Sequence, residues 1–142
     1  MERRRLAVGA VGAVLGVSAA VVLADSEDRS CERQIPPVTV TLPEATYPHI
    51  RDHAADAIRA GQPDVLHIAR EEAEENRAAS LRGVPTRKGY DRDEYPPAMS
   101  DEGGRGASVR YVLPRENRSA GATMGRQLRI YCDGQAFVIG GN

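Results

Sequence analysis

The sequence predicts a small, single-domain α+β fold, on three observations. Its 142 residues leave room for one domain. Alternating, β-branched stretches at 38–42, 107–113 and 135–139 read as strands. Helical spacing falls between them at 47–60, 70–81 and 117–128, but without the regular strand–helix repeat that a doubly wound parallel sheet requires.

Before the domain comes an export signal. Met1-Glu2-Arg3-Arg4-Arg5 is a basic head, and 6–24 runs without a charge, rich in Ala, Val, Gly and Leu. A basic head, an apolar stretch and small residues at the exit form a secretory signal peptide over 1–24, with a cleavage site at Val22-Leu23-Ala24. The apolar run matches the shortest membrane spans, roughly 17–25 residues, so an uncleaved, outward-facing N-terminal anchor is the alternative, and the only expected membrane contact. Gly9, Gly12 and Gly16 favour cleavage. Either way the remainder lies outside the cytoplasm, and a secreted monomer is the expectation. Residues 25–41 hold a polar tether ending at Pro36-Pro37, then the first strand; the domain proper is 42–142.

The elements follow in order. Val38-Thr39-Val40-Thr41-Leu42 alternates apolar and polar, as a half-buried strand does. Ile50, His53, Ala54, Ala57 and Ile58 recur at helical spacing, and Gly61 closes that helix. Residues 64–69 are a short apolar run, read as a buried strand. Residues 70–81 are rich in Glu, Ala and Arg and stop at Gly83, a helix by propensity with a thin apolar stripe. A Gly-rich loop at 103–106 precedes the strand 107–113, which Pro114 ends. The helix 117–128 is weakened by Gly121 and Gly125, and 135–139 closes the chain as a strand.

Two cysteines, Cys31 and Cys132, sit at opposite ends of the exported part. In an oxidising compartment one bridge closes a loop of about a hundred residues, which chain entropy values at roughly 4–5 kcal/mol. Two free thiols are the alternative. The net charge of −1 becomes −3 without residues 1–24, and what remains is polarised. Residues 25–102 carry 17 acidic and 10 basic side chains, whereas 103–142 carry six arginines against Glu116 and Asp133. A polyanionic partner is therefore expected at the C-terminal third, if those arginines share a face.

Asp91-Arg92-Asp93-Glu94 crowds three carboxylates and a guanidinium into four positions. On a strand Asp91 and Asp93 share one face, and Arg92 and Glu94 the other. Like charges this close need a cation or an arginine to compensate them. Mg²⁺ suits such a set, because it takes one or two carboxylates, a neutral oxygen such as that of Asn117, and several waters. On composition alone the simpler reading is a solvated acidic turn. His49 and His53 are spaced for zinc on a helix, yet His53 falls on the apolar face and reads as a packed or supporting histidine. The glutamate run at 71–75 reads as a solvated helix face; only a family resemblance, given below, makes Glu75 and Asn76 minor site candidates. The Gly-rich loop could approach a phosphate, and Tyr95 and Tyr111 are needed for packing more than for substrate.

Longer blocks sharpen this. Gly89-Tyr90-Asp91-Arg92-Asp93-Glu94-Tyr95-Pro96, then 102–112 and Glu116-Asn117-Arg118-Ser119-Ala120-Gly121, closely resemble the NucB-type enzymes of the NucA/NucB deoxyribonuclease family. The upstream stretches 50–58 and 73–81 are similar to that family too, so the resemblance spans about 42–139. It implies a ββα-metal nuclease core: two strands, then a helix that carries a metal ligand. Related nucleases have Asp-Arg-Gly-His with the histidine as general base. Here Glu94 stands in its place and Asp93 in that of the glycine, so a carboxylate replaces the histidine. Asp93 is favoured as the base, with Glu94 as the alternative.

The implied activity is hydrolysis of DNA by in-line attack of water, with little sequence preference. The resemblance assigns Asp93, Glu94, Arg92 and Asp91 to catalysis. Asn117, Asp91 and, more weakly, Gln127 would hold a divalent metal, Mg²⁺ or Mn²⁺. Arg118, Arg126 and Arg110 would bind the substrate. DNA is the expected partner, and the reading leaves room for a protein inhibitor. The competing class is a non-catalytic exported nucleic-acid-binding or envelope-associated module, and a phosphodiesterase acting on RNA or small nucleotides is a third reading.

Overall fold

The computed structural model describes residues 31–141, so the signal segment 1–24 and the first part of the tether lie outside the described residues. β1 (Val38–Thr41) leads into α1 (Pro48–Arg59), β2 (Leu66–His67), a 3₁₀ turn (Arg70–Glu72) and α2 (Ala73–Ser80). The hairpin strands β3 (Asp91–Tyr95) and β4 (Ser108–Val112) follow, then α3 (Pro114–Leu128) and β5 (Ala136–Gly140). The expected α+β class holds, and β3–β4–α3 is a ββα unit. Among the described residues no helix is long and apolar enough to cross a membrane.

The strands form two sheets. One has the order β1–β5–β2, with β5 parallel to β1 and antiparallel to β2; the other is the β3–β4 hairpin. In β1 the alternation turns Val38 and Val40 inward, opposite Phe137 and Ile139 of β5. Val40, Leu42, Leu66, Ile68, Leu128 and Phe137 are wholly or almost wholly buried. Onto this layer α1 lays Ile50, Ala54 and Ala57, and α3 lays Ala120, Met124 and Leu128, each set at the three-and-four spacing of one helix face.

Three expectations change. The strand expected at 38–42 is β1, but residues 31–37, expected as the end of a tether, are tied into the domain. Cys31 is bonded to Cys132, and the Glu32 backbone donates to the Ile130 carbonyl and accepts from the Cys132 N–H. The Gln135 side chain bonds the Gln34 backbone in both directions. The strand 64–69 shrinks to two residues. α3 begins at Pro114 rather than at 117, because proline at the first helical position lacks only an N–H that would be unpaired anyway. Gly121 and Gly125 do not break it.

Candidate active site

β3 is charged at four of its five positions, and each charge meets a different element. The alternation of the strand sends Asp91 and Asp93 to one face and Arg92 and Glu94 to the other. Asp93 Oδ2 lies 2.6 Å from Nδ1 of His53, which is 0 % exposed on α1. The other ring nitrogen, Nε2, lies 2.9 Å from Ser108 Oγ on β4. A carboxylate can only accept, so Nδ1–H donates to Asp93, while Nε2 and the serine hydroxyl share a second hydrogen bond. The imidazole ring is thereby held in one orientation, and Asp93 keeps an oxygen for the cleft with its side chain 17 % exposed.

Glu94 has a different setting. Ser80 of α2 donates a short hydrogen bond to it, Arg77 lies 3.8 Å away, and the side chain is 7 % exposed. Burial, which disfavours the ionised form, raises its pKa above the usual glutamate value against the pull of Ser80 and Arg77. Asp91 is the reverse case. Arg118 of α3 grips it bidentately at 2.8 and 3.0 Å, and Asn117 adds a hydrogen bond, holding its carboxyl below the aspartate range. Arg92 donates through Nη1 to the Val84 carbonyl at 2.7 Å.

Glu116 fixes the angle at which α3 enters. It accepts from the His49 and Ile50 backbone N–H groups at 2.8 and 3.2 Å and lies 2.7 Å from His49 Nδ1. α1 has no side-chain cap of its own, so a carboxylate from α3 covers its open N-terminus and locks the two helices together. Asn117, the next residue, is thereby held beside β3.

All four charged β3 residues line a cleft of about 500 Å³, with Asn117 and Arg118 on its α3 wall. A second cleft, of about 320 Å³, adjoins Asp91, Arg92, Glu94 and Asn117 on the side of the α2–β3 loop. A third, of about 530 Å³, lies between His67, Glu72, Asp101 and Asp133; its acidic wall suits a polyanion poorly.

The structure thus brings Asp91, Arg92, Asp93, Glu94, Asn117 and Arg118 together. Three other expected site residues lie elsewhere. Gln127, expected as a metal ligand, is engaged elsewhere: its amide accepts from Thr41 N and donates to Thr41 O, both at 2.9 Å, extending the edge of β1. It also stands ten residues beyond Asn117, about 15 Å along the helix. Arg126 bonds Thr123 Oγ1 near Tyr47, and lines neither cleft. Arg110 stands opposite Asp93 in the ladder, but its guanidinium pairs with Asp56 of α1 at 2.6 Å. Asn76 is structural, donating to the Ala98 and Ser100 carbonyls, and its amide packs so close to Gly104 that a Cβ there would sit 2.7 Å from Oδ1. Tyr95 is a core residue whose hydroxyl pKa burial pushes up to about 12; it donates to the Pro63 carbonyl.

Ser80, Ser108 and Glu116 have roles that the sequence does not announce. Ser108 is one polar residue among others at the start of an alternating strand. Glu116 three residues into a helix reads from sequence as a dipole partner of its own helix, not as the cap of another.

The donor chemistry suits a hard divalent ion. Asp91, Asp93 and Asn117 offer oxygens, two of them carboxylates on one strand face. Among the described residues no three His, Cys, Asp or Glu side chains cluster as a cage. The available set is the sparse one that Mg²⁺ accepts, with water completing the shell.

Residues 54–140 match a protein-family model described as Deoxyribonuclease NucA/NucB. The chain is also similar to the DNA-entry nuclease of Bacillus subtilis (strain 168), at 48% identity over 101 residues, covering 71% of this chain and 69% of that protein.

Proposed function

The chain belongs to the NucA/NucB deoxyribonuclease family, and from that premise we propose that it is an exported, metal-dependent endonuclease that hydrolyses DNA with little sequence preference. The observation that carries the reading is the buried His53–Asp93 hydrogen bond, which fixes a carboxylate at the wall of a cleft shared with Asn117 and Arg92. The Cys31–Cys132 bond supports an oxidising compartment.

Asp93 orients a water molecule and takes its proton as the water oxygen attacks phosphorus. The bond to the leaving oxygen breaks in line, and the leaving oxygen takes a proton from solvent. His53, donating to the far oxygen of Asp93, holds the accepting oxygen in place. Arg92 offers its remaining N–H groups to the non-bridging phosphate oxygens. Mg²⁺ or Mn²⁺ held by Asn117 and Asp91 would supply the positive charge that stabilises the crowded phosphate and the leaving oxygen. Arg118, which bonds Asp91 from the next residue on α3, would be placed to reach a phosphate oxygen if that pairing opened. Glu94, more buried and already held by Ser80, shapes the field around Asp93 rather than taking the proton.

Plasmid nicking decides this. Cleavage should require Mg²⁺ or Mn²⁺, stop with a chelator, and fail in Asp93→Asn. No nicking by the wild-type chain with either ion would sink the proposal, as would full activity in Asp93→Asn.

A further inference from the structure

Between α2 and β3 the chain runs through Arg82-Gly83-Val84-Pro85-Thr86-Arg87-Lys88-Gly89-Tyr90, which has three cations and no acid. The loop is anchored from the hairpin at two points. Arg92 Nη1 donates to the Val84 carbonyl at 2.7 Å, and Tyr111 Oη donates to the Pro85 carbonyl at 2.6 Å. Gly83 and Gly89 reverse the chain at either end with φ of 77° and 83°, a region where a side chain would be strained.

Beyond these anchors, the Arg87 guanidinium lies 4.4 Å from the Tyr90 ring centroid and 5.8 Å from that of Tyr111. Two aromatic faces hold the cation in place without neutralising it. Arg82, Arg87 and Lys88 are exposed, and none pairs with an acidic side chain among the described residues. Arg110 and Arg118, by contrast, spend their charge on Asp56 and Asp91. The loop also reaches the candidate active site: Thr86 and Tyr90 line the cleft of about 320 Å³ with Arg92, Glu94 and Asn117.

We propose that the loop 82–90 is the DNA-docking element of this nuclease. Arg87 and Lys88 take phosphates beside the bond to be cut, Arg82 takes one farther along, and Tyr90 offers a ring to an adjacent base. The idea rests on the nuclease reading above. It adds the α2–β3 loop to the electrostatic footprint expected at the C-terminal third of the chain.

Binding of fluorescent single-stranded and duplex oligonucleotides to Asp93→Asn protein, across a salt series, tests it. For every phosphate the protein no longer neutralises, the slope of log affinity against log salt falls by about 0.9 on duplex and 0.7 on single strands. Arg87→Gln with Lys88→Gln should therefore flatten the duplex slope by nearly two and weaken binding at least tenfold. Tyr90→Ala should weaken single-strand binding by roughly fivefold or more, and Tyr90→Phe should restore it, because stacking needs only the ring. Arg59→Ala, a surface charge on α1, should change neither reading. A wild-type slope and affinity in the double variant would overturn the proposal. A wild-type chain that fails to nick DNA would instead overturn the nuclease reading, so the two failures are distinguishable.

Discussion

The two sheets of this domain are built on opposite principles. The β1–β5–β2 sheet turns Val38, Val40, Leu66 and Phe137 into a shared apolar core and is closed by the bond between Cys31 and Cys132. The β3–β4 hairpin has a single buried apolar anchor in each strand, Tyr95 and Val112, and charges everywhere else on β3. Its charges are satisfied from outside: His53 from α1, Ser80 and Arg77 from α2, Arg118 from α3, and a loop carbonyl for Arg92. The first sheet holds itself together; the second is held by its neighbours. Damage to the two should therefore separate, one in stability and the other in turnover.

The largest separation is expected at Asp93. Asp93→Asn removes the proposed base and should lower turnover about 10²- to 10⁴-fold, the usual worth of a positioned proton acceptor. Its thermal midpoint should stay near wild type. Glu94→Gln, one residue away, should lose much less activity and behave differently with pH. Because burial raises the folded-state pKa of Glu94 above 4.5, its ionisation opposes folding. The favourable contribution is complete below the unfolded value and is lost as pH rises through the folded one. Glu94→Gln should therefore flatten the decline of stability on going from acid to neutral pH. Equal loss of turnover in the two variants would erase the distinction between the neighbouring carboxylates.

The converse break is at the disulfide. Cys31→Ser with Cys132→Ser opens a loop with a sequence separation of 101 residues. In the chain-entropy model that costs about 4–5 kcal/mol. Denaturant midpoints should fall steeply, while DNA cleavage by the folded fraction at low temperature should stay close to wild type. A selective loss of turnover in protein that is still folded would tie the framework to the chemistry.

His53 stands between the two regions, since it belongs to the buried face of α1 and acts on β3. His53→Asn should cost roughly 10- to 100-fold in turnover, the range for groups that orient a site residue from behind. The loss should fall on kcat more than KM, because the Asp93 carboxylate loses the donor that orients it. An altered melting temperature with an unchanged kcat would reduce His53 to packing alone.

Periodicity makes most of the framework legible. The inward alternation of Val38 and Val40, and the α1 stripe of Ile50, His53, Ala54 and Ala57, are local patterns, and the structure keeps them. The charged run at 91–94 is equally visible. Its partners are not, because they lie far off in the chain: His53 is 40 residues from Asp93, and Arg118 is 27 from Asp91. The expectation of a tether fails over 31–37, its described part, for a related reason. Its polar composition and paired prolines suit a linker, whereas what binds 31–37 to the fold is a bridge and backbone pairing to residues about a hundred positions later. The docking loop 82–90 is inconspicuous in the sequence, since three cations in nine residues look ordinary until the loop is found anchored beside the cleft through Arg92 and Tyr111.

Gln127 offers the smallest and most discriminating test. Its side-chain amide makes two hydrogen bonds to Thr41, an edge position of the apolar sheet. Each such bond contributes about 1 kcal/mol net, and less where water can replace it. Gln127→Ala should therefore cost about 1 kcal/mol in stability and leave the metal dependence of cleavage unchanged. If the residue were instead a ligand, the same variant would need more Mg²⁺ for half-maximal activity while melting normally. Measuring both on one sample assigns α3 its two ends: Asn117 belongs to the hairpin and its chemistry, and Gln127 to the framework.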